Sequence, residues 1–354
     1  MARKLMKGNE AIAEAAVRAG CRGFFGYPIT PQNEIPEYMS RRQPEVGGAF
    51  VQAESEIAAI NMVYGAAAAG CRAMTSSSSP GISLKQEGIS YIAAADLPCL
   101  IVNMVRSGPG LGGIQPSQCD YFQAVKGGGH GDYHLIVLAP ASIQEAVDMT
   151  YGAWDLAEKY RMPVLLLGDG MIGQMMEPVE LPEMFDLSTL PVRDWELNGY
   201  DGTRKRVVYN TLRIEPDVCE AYNRELFRRY EVLKEQEQSA EEYLCEDAEV
   251  ILAAYGTVSR ICKSAITELR KQGHKVGLLR PRTLYPFPEK AFLKYAEKPQ
   301  VKRFISVELS MGQMIEDVKL ATACKKPVDF CGRCGGNVVS EEEIIAAVKQ
   351  AEVK

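Results

Sequence analysis

Short, unbroken apolar runs separated by helix-length segments constrain this chain more than any other feature of its sequence. The runs Pro98–Val105 (PCLIVNMV), His134–Leu138 (HLIVL) and Pro163–Leu167 (PVLLL) lack the in-and-out alternation of a half-exposed strand. Strands that bury both faces have this look, and a sheet buried on both faces needs helices on either side. Suitable helices lie before and between them, at Gly8–Ala19, Ser55–Ala69 and Ile143–Lys159. Gly20 stops the first, and the aromatic strand Gly23–Tyr27 follows it, closed by Pro28. Gly70 stops the second, ahead of the strand Arg72–Thr75 and a Ser-rich loop. The alternation predicts an α/β fold whose parallel sheet is wrapped by helices.

From Glu177 the texture changes. Pro178, Pro182, Pro191 and the cluster Asn198-Gly199-Tyr200-Asp201-Gly202 carry no periodicity and read as a connector. The charged stretch Cys219–Glu242 is helical in pattern, with apolar residues too sparse for a wide buried stripe, so it reads as a solvated or interdomain helix. Beyond Asp247 a second alternation begins, with strands at Val250–Tyr255, Lys275–Leu279 and Arg303–Glu308 and helices at Ser259–Lys271 and Glu289–Ala296. Three parts are expected: a first α/β domain over 1–178, a connector with an interdomain helix over 179–246, and a smaller α/β domain over 247–354. The 354 residues, 46% of them hydrophobic, are enough for two cores.

Composition narrows the partners. With 40 Lys+Arg against 46 Asp+Glu and no basic block, nothing here tracks a phosphate backbone, and nucleic acid is not an expected partner. No apolar run approaches the roughly 20 residues of a membrane span. The ten cysteines are scattered, and the start Met1-Ala2-Arg3-Lys4 has no apolar signal segment, so reduced thiols in a cytoplasmic protein are expected.

Four local motifs invite chemistry. Gly108, Gly110 and Gly113 fit G-x-G-x-x-G after an apolar strand, but Gln115, Pro116, Ser117 and Gln118 compromise the helix that should receive a pyrophosphate. A flexible, substrate-facing loop is the better reading. The tract Thr75–Gly81 (TSSSSPG) offers hydroxyls, yet His130, His134 and His274 have no triad context to activate them. Cys331-Gly332-Arg333-Cys334 has no second pair and only Cys324 nearby, which suits a Gly-rich turn with incidental thiols better than zinc, a cluster or a redox pair. Gly168-Asp169-Gly170 opens the metal–diphosphate motif of thiamine diphosphate enzymes, and Asn198 stands about where that motif ends. Pro-rich connector lies between them instead of the required helix.

Taken together, three segments resemble the alpha subunit of 2-oxoacid:ferredoxin oxidoreductases: Tyr27-Pro28-Ile29-Thr30-Pro31, Glu54-Ser55-Glu56-Ile57-Ala58 and Thr75–Gly81. Tyr285-Pro286-Phe287-Pro288, Glu308–Gln313 and Gly332-Arg333 with Gly335-Gly336 are similar to the second domain of that subunit, which is of transketolase C-terminal type. The tracts KGNEAIAEAA and GLGGIQPSQCDYFQAVKGGGHGDY look closest to the type acting on 3-methyl-2-oxobutanoate (2-ketoisovalerate). The resemblance implies a pyrimidine-binding domain for thiamine diphosphate, with the diphosphate and Mg2+ on a beta subunit. It also implies a gamma subunit and a ferredoxin-like subunit carrying iron–sulfur clusters, with ferredoxin, coenzyme A and a 2-oxoacid as reactants.

Carried over by motif, Glu56 is the carboxylate that hydrogen-bonds the pyrimidine ring nitrogen. The start of an apolar helix gives it position and low water access, although an acid there also suits the helix dipole. Glu54 is the local competitor. Tyr27, Pro28, Ile29 and Ser78 are implied beside the cofactor, and Thr30 and Arg106 at the substrate carboxylate, for which an arginine offers a bidentate fork. No metal ligand is expected on this chain. The alternatives are a pyruvate- or 2-oxoglutarate-specific member, a self-sufficient thiamine enzyme, and a non-catalytic dinucleotide-binding or scaffold protein.

Overall fold

The computed structural model describes residues 3–353. Its larger sheet has seven strands, in the order Thr283–Tyr285, Ile136–Leu138, Val164–Asp169, Leu100–Val105, Ala73–Ser77, Gly23–Gly26 and Ala49–Gln52. All pair in parallel except Thr283–Tyr285, which joins antiparallel at one edge. The expected apolar runs are its centre: Leu100–Val105 and Val164–Asp169 are buried along their whole length and pair from Leu100↔Val164 to Val105↔Asp169.

The helix Gly8–Arg18 packs on Ile143–Tyr160 and Glu34–Glu45. Its Ala11, Ala13, Ala15 and Ala16 are fully buried, since a helix with neighbours on several sides admits only small side chains. Gly8 is forced by that closeness, because a methyl group there would lie 1.8 Å from the Ile172 carbonyl oxygen. A two-stranded antiparallel ribbon, Lys4–Lys7 with Met176–Val179, ties the start of the chain to the end of the first α/β run.

The smaller sheet runs Val328–Gly332, Arg303–Glu308, Val250–Ala253, Val276–Pro281 and Ala240–Tyr243. Its last strand is antiparallel and pairs Glu241 with Arg280. Here the structure departs from the pattern in the sequence. The helix expected over Cys219–Glu242 runs instead from Pro216 to Gln236, and Ala240–Tyr243 is extended. Proline suits the first turn, which moves the start forward. The end is set by Ser239, whose amide donates to Thr283 Oγ1 at 2.9 Å, and by pairing with Leu278–Pro281, which no local pattern announces. Leu226, Tyr230 and Leu233 form the buried stripe of that helix, and the Tyr230 hydroxyl accepts the His134 amide at 3.0 Å.

All ten cysteines are free, and Cys331 and Cys334 flank the turn between Val328–Gly332 and the helix Glu341–Val353. No helix among the described residues is long and apolar enough to cross a membrane.

Candidate active site

Four neighbouring strands of the larger sheet end at one edge. Gly23–Gly26 runs out into Tyr27–Pro31, Ala49–Gln52 into the turn before Glu56, Ala73–Ser77 into Ser78 and Ser79, and Leu100–Val105 into Arg106. Their parallel registers, Gly23↔Ala49, Gly23↔Ala73 and Ser77↔Asn103, make those ends coincide. In open parallel sheets this carboxyl edge is where ligands bind.

Glu56 opens the helix Glu56–Ala68. Ser55 caps it in extended conformation, its hydroxyl accepting the Ala58 amide at 3.2 Å, and the first turn is thereby held with Glu56 only 7% exposed. Glu54 lies exposed in the preceding turn. Opposite Glu56 the helix Pro80–Ala94 begins, and Gly81 is what lets it approach. A methyl group at Gly81 would stand 2.1 Å from Ser77 Oγ and 2.9 Å from Glu56 Oε1.

The turn between strand and helix is braced. Ser79, at φ +23°, donates its amide to Asn103 Oδ1 at 3.1 Å, and its hydroxyl accepts the Arg106 amide at 3.0 Å. Asn103 in turn donates to Asp120 at 2.8 Å. Burial raises the Asp120 carboxyl above its ordinary range, opposed by that bond from Asn103. Gln32, fully buried, accepts from the Ser76 hydroxyl at 2.5 Å and anchors the Tyr27–Pro31 loop by donating to the Tyr27 carbonyl at 3.3 Å.

Arg106 is 7% exposed. Its Nη1 donates to the Thr30 carbonyl at 3.0 Å and its Nη2 to the Leu111 carbonyl at 3.1 Å, while Nε has no partner. Among the described residues no carboxylate pairs with it. The Thr30 side chain is exposed, at the rim of a cleft of about 720 Å3 lined by Ile114, Pro116, Met171, Met175 and Glu34. The glycine loop reaches this rim too. Ser107 closes it by donating its amide to the Gln115 carbonyl at 3.0 Å, and the next helix begins only at Tyr121, so no helix N-terminus faces a pyrophosphate.

Beside Glu56 lies a group of orphans. The hydroxyls of Thr75, Ser77 and Ser78 and the ammonium of Lys85 are buried without hydrogen-bond partners. Buried polar atoms are nearly always bonded, so such a concentration marks a place where a ligand supplies the partners. A carboxylate, three hydroxyls and a close glycine suit a flat ring carrying nitrogen acceptors and an amino donor, as a pyrimidine does. Burial pushes the Lys85 ammonium down to about 8, and the charge of Glu56 acts the other way.

Asp169 is committed elsewhere. Its Oδ1 accepts the Met171 and Ile172 amides at 2.9 and 3.1 Å and the Thr257 hydroxyl at 3.0 Å, capping the short helix Gly170–Gln174 and joining the two sheets. Glu308 is likewise internal, accepting from Ser306, Ser310 and the amides of Gln313, Met314 and Ile315 at the head of Met314–Ala321. Gln118 bridges the parts, donating to the Tyr255 carbonyl at 3.0 Å and accepting the Leu309 amide at 2.9 Å.

Tyr27, Ile29, Thr30, Glu56, Ser78 and Arg106 thus lie at one edge of the sheet, with Pro28 exposed on the loop after Gly23–Gly26. Sequence reasoning missed Gln32, Asn103, Asp120 and Lys85. Lys85 stands between Gly81 and Gly88 on the helix face that touches Glu56–Ala68, a face that only the packing of the two helices reveals.

Residues 14–242 match the family model described as pyruvate flavodoxin/ferredoxin oxidoreductase, thiamine diphosphate-binding. Residues 248–344 match pyruvate:ferredoxin oxidoreductase core domain II. The chain is 51% identical to ketoisovalerate oxidoreductase subunit VorB of Methanothermobacter marburgensis, over 99% of this chain and 98% of that one. It is 37% identical to 2-oxoglutarate synthase subunit KorA of Methanocaldococcus jannaschii, over 98% and 99%. The solved 2-oxoglutarate:ferredoxin oxidoreductase from Magnetococcus marinus, with 2-oxoglutarate, coenzyme A and succinyl-CoA bound, superposes with a TM-score of 0.86 at 27% identity, covering 98% of this chain and 65% of that one. A split-gene transketolase shares the fold, with a TM-score of 0.61 at 14% identity over 98% of both chains.

Proposed function

Because this chain belongs to the pyruvate flavodoxin/ferredoxin oxidoreductase family, we propose that it is the alpha-type subunit of a 2-oxoacid:ferredoxin oxidoreductase. Its substrate is 3-methyl-2-oxobutanoate, which with coenzyme A becomes the acyl-CoA and CO2 while ferredoxin is reduced. The observation that carries the reading is the Glu56 carboxylate set against partnerless hydroxyls at the carboxyl edge of the sheet. The VorB relatives, full-length matches named for ketoisovalerate, support the substrate.

Thiamine diphosphate, when bound, supplies the electron sink for decarboxylating a 2-oxoacid. Glu56 holds and returns a proton at the pyrimidine ring nitrogen, and its burial keeps water from competing for that bond. Ser78, with Tyr27, Pro28 and Ile29 on the neighbouring loop, borders the ring. Arg106, held from behind by the Thr30 and Leu111 carbonyls, turns its remaining N–H groups to the substrate carboxylate, with Thr30 at the rim of the cleft. The branched alkyl group enters the cleft lined by Ile114, Pro116 and Met171. The one charged residue of that lining is Glu34, whose carboxylate is already held by Lys7 Nζ at 3.2 Å, Asn9 at 2.7 Å and Gln174 at 2.9 Å, so the lining offers no free cation to a second substrate carboxylate.

This chain supplies half of a site. Asp169 is used in capping, so the diphosphate and Mg2+ fall to a beta subunit. The helices on either side of Glu56 leave Ile57, Met62, Leu84 and Tyr91 exposed, an apolar face of the kind a partner covers. A gamma subunit and a ferredoxin-like subunit carry the iron–sulfur clusters, and the assembly works in the cytoplasm. We take residues 1–178 as the pyrimidine-binding domain, 179–246 as the connector, whose last strand Ala240–Tyr243 joins the smaller sheet, and 247–354 as the transketolase C-terminal-like domain, which lends Thr283–Tyr285 to the larger sheet.

The test is reconstitution. Glu56→Gln should assemble with its partners yet lose viologen reduction with 3-methyl-2-oxobutanoate and coenzyme A by at least about 100-fold. A fully active variant refutes the role.

A further inference from the structure

One buried group has no place in that account. Lys85 is 0% exposed, and its Nζ has no hydrogen-bond partner. It stands four residues after Gly81 and three before Gly88, on the face of Pro80–Ala94 that packs against Glu56–Ala68. The two glycines locate that face: a methyl at Gly81 would be 3.1 Å from Glu56 Cγ, and one at Gly88 would be 2.5 Å from Ile60 Cγ2. Side chains in a helix lean toward its N-terminus, so Lys85 runs from the level of Ile60 back toward Glu56 and the orphaned hydroxyls of Ser77 and Ser78.

An ammonium sealed in this way is costly, and a methionine of similar length would avoid the cost. The other charged groups around it are turned elsewhere. Glu87 lies on the exposed face of the same helix, and Glu54 is exposed before Glu56. Asp120 and Arg106 lie beyond the Ser79 turn, bonded to Asn103 and to the Thr30 and Leu111 carbonyls. Glu56 is the charge whose field reaches Lys85.

We propose that Lys85 is a positioning residue for Glu56: its buried ammonium, on the helix face that packs against the start of Glu56–Ala68, is the counter-charge to the Glu56 carboxylate when cofactor and partner subunit cover the site. This rests on the reading of Glu56 as the carboxylate that serves the pyrimidine. Covering the site removes water that would otherwise solvate Glu56, and a fixed positive charge in the protein interior takes its place.

The experiment compares wild type, Lys85→Met, Lys85→Arg and Glu56→Gln in the assembled enzyme, following kcat/KM for 3-methyl-2-oxobutanoate against pH. Lys85→Met should move the acid limb up by about one unit, a roughly ten-fold loss on that limb with a smaller change on the alkaline plateau. Lys85→Arg should restore the limb. The thermal midpoint of each variant is read beside its profile, so that lost folding is told apart from a moved limb. An unmoved acid limb in Lys85→Met, or Lys85→Arg as displaced as Lys85→Met, overturns the proposal, as does a lowered midpoint with the limb in place. If Lys85→Met does not assemble, Lys85→Gln takes its place under the same criteria. An active Glu56→Gln overturns the parent reading, whereas an inactive Glu56→Gln with an unmoved Lys85→Met profile overturns this proposal alone.

Discussion

Replacing Arg106 by alanine tests the substrate geometry most sharply. Two guanidinium nitrogens are engaged by the carbonyls of Thr30 and Leu111, and among the described residues no carboxylate neutralises the cation, although it is more than nine-tenths buried. The proposed function pairs this cation with the substrate carboxylate. Truncating one partner of a buried, hydrogen-bonded charge pair costs roughly 2 to 5 kcal/mol. At about 1.4 kcal/mol per decade, kcat/KM for 3-methyl-2-oxobutanoate should fall by roughly 30- to 5000-fold. Arg106→Lys keeps the charge and loses the fork, so it should fall between alanine and wild type. The assay is viologen reduction by the assembled enzyme with saturating coenzyme A, scored with the thermal midpoint of each variant, because the two carbonyl bonds also hold the loops. Guanidinium ion added to Arg106→Ala should recover part of the rate. A kcat/KM within about three-fold of wild type would refute the assignment, since two mainchain carbonyls alone would then account for the arginine.

Two further outcomes follow from groups away from the cofactor. Asp169→Ala removes a helix cap and the bond from Thr257, and should cost roughly 1 to 3 kcal/mol of stability. Asp169→Asn keeps an acceptor oxygen and should cost much less, and neither should alter the Mg2+ dependence of the assembled enzyme; a changed Mg2+ requirement in Asp169→Asn would restore the metal reading of Gly168-Asp169-Gly170. His134 stacks on Tyr285 at a ring-centroid distance of 4.1 Å, and burial holds its pKa below the ordinary value, opposed by the Val125 carbonyl. The unfolded chain therefore takes up a proton that the folded chain resists. Stability from this residue is complete above about pH 6.5 and is lost as the pH falls through the folded value. His134→Phe keeps the stack without the titration, so its midpoint relative to wild type should rise on going from pH 8 to pH 5.5; a difference independent of pH would count against this.

Much of the site was legible before the fold was known. Glu56 was read from the motif Glu54-Ser55-Glu56-Ile57-Ala58 at the start of an apolar helix, and Thr75–Gly81 shows a hydroxyl tract at a strand end. Lys85 and Gln32 were not legible, because a lone Lys or Gln in an amphipathic context reads as surface until its neighbours are known. The Gly168-Asp169-Gly170 motif was not taken as a metal site, since the helix it needs is missing, but the role of Asp169 could not be read locally. Its carboxylate serves Thr257, which is 88 positions away.

The sequence by itself determined the kind of layer this chain forms. Runs buried on both faces, alternating with helices, require a parallel sheet between helices, and a parallel sheet brings its loops of one hand to a single edge. Tertiary structure alone decided what fills the spaces between layers. It turned Ala240–Tyr243 from helix to strand, carried Thr283–Tyr285 across to the larger sheet, and enclosed Lys85 between two helices. Periodicity reports which side of an element avoids water. Which surface covers that side depends on pairings between segments far apart in the chain, and no local window contains both partners.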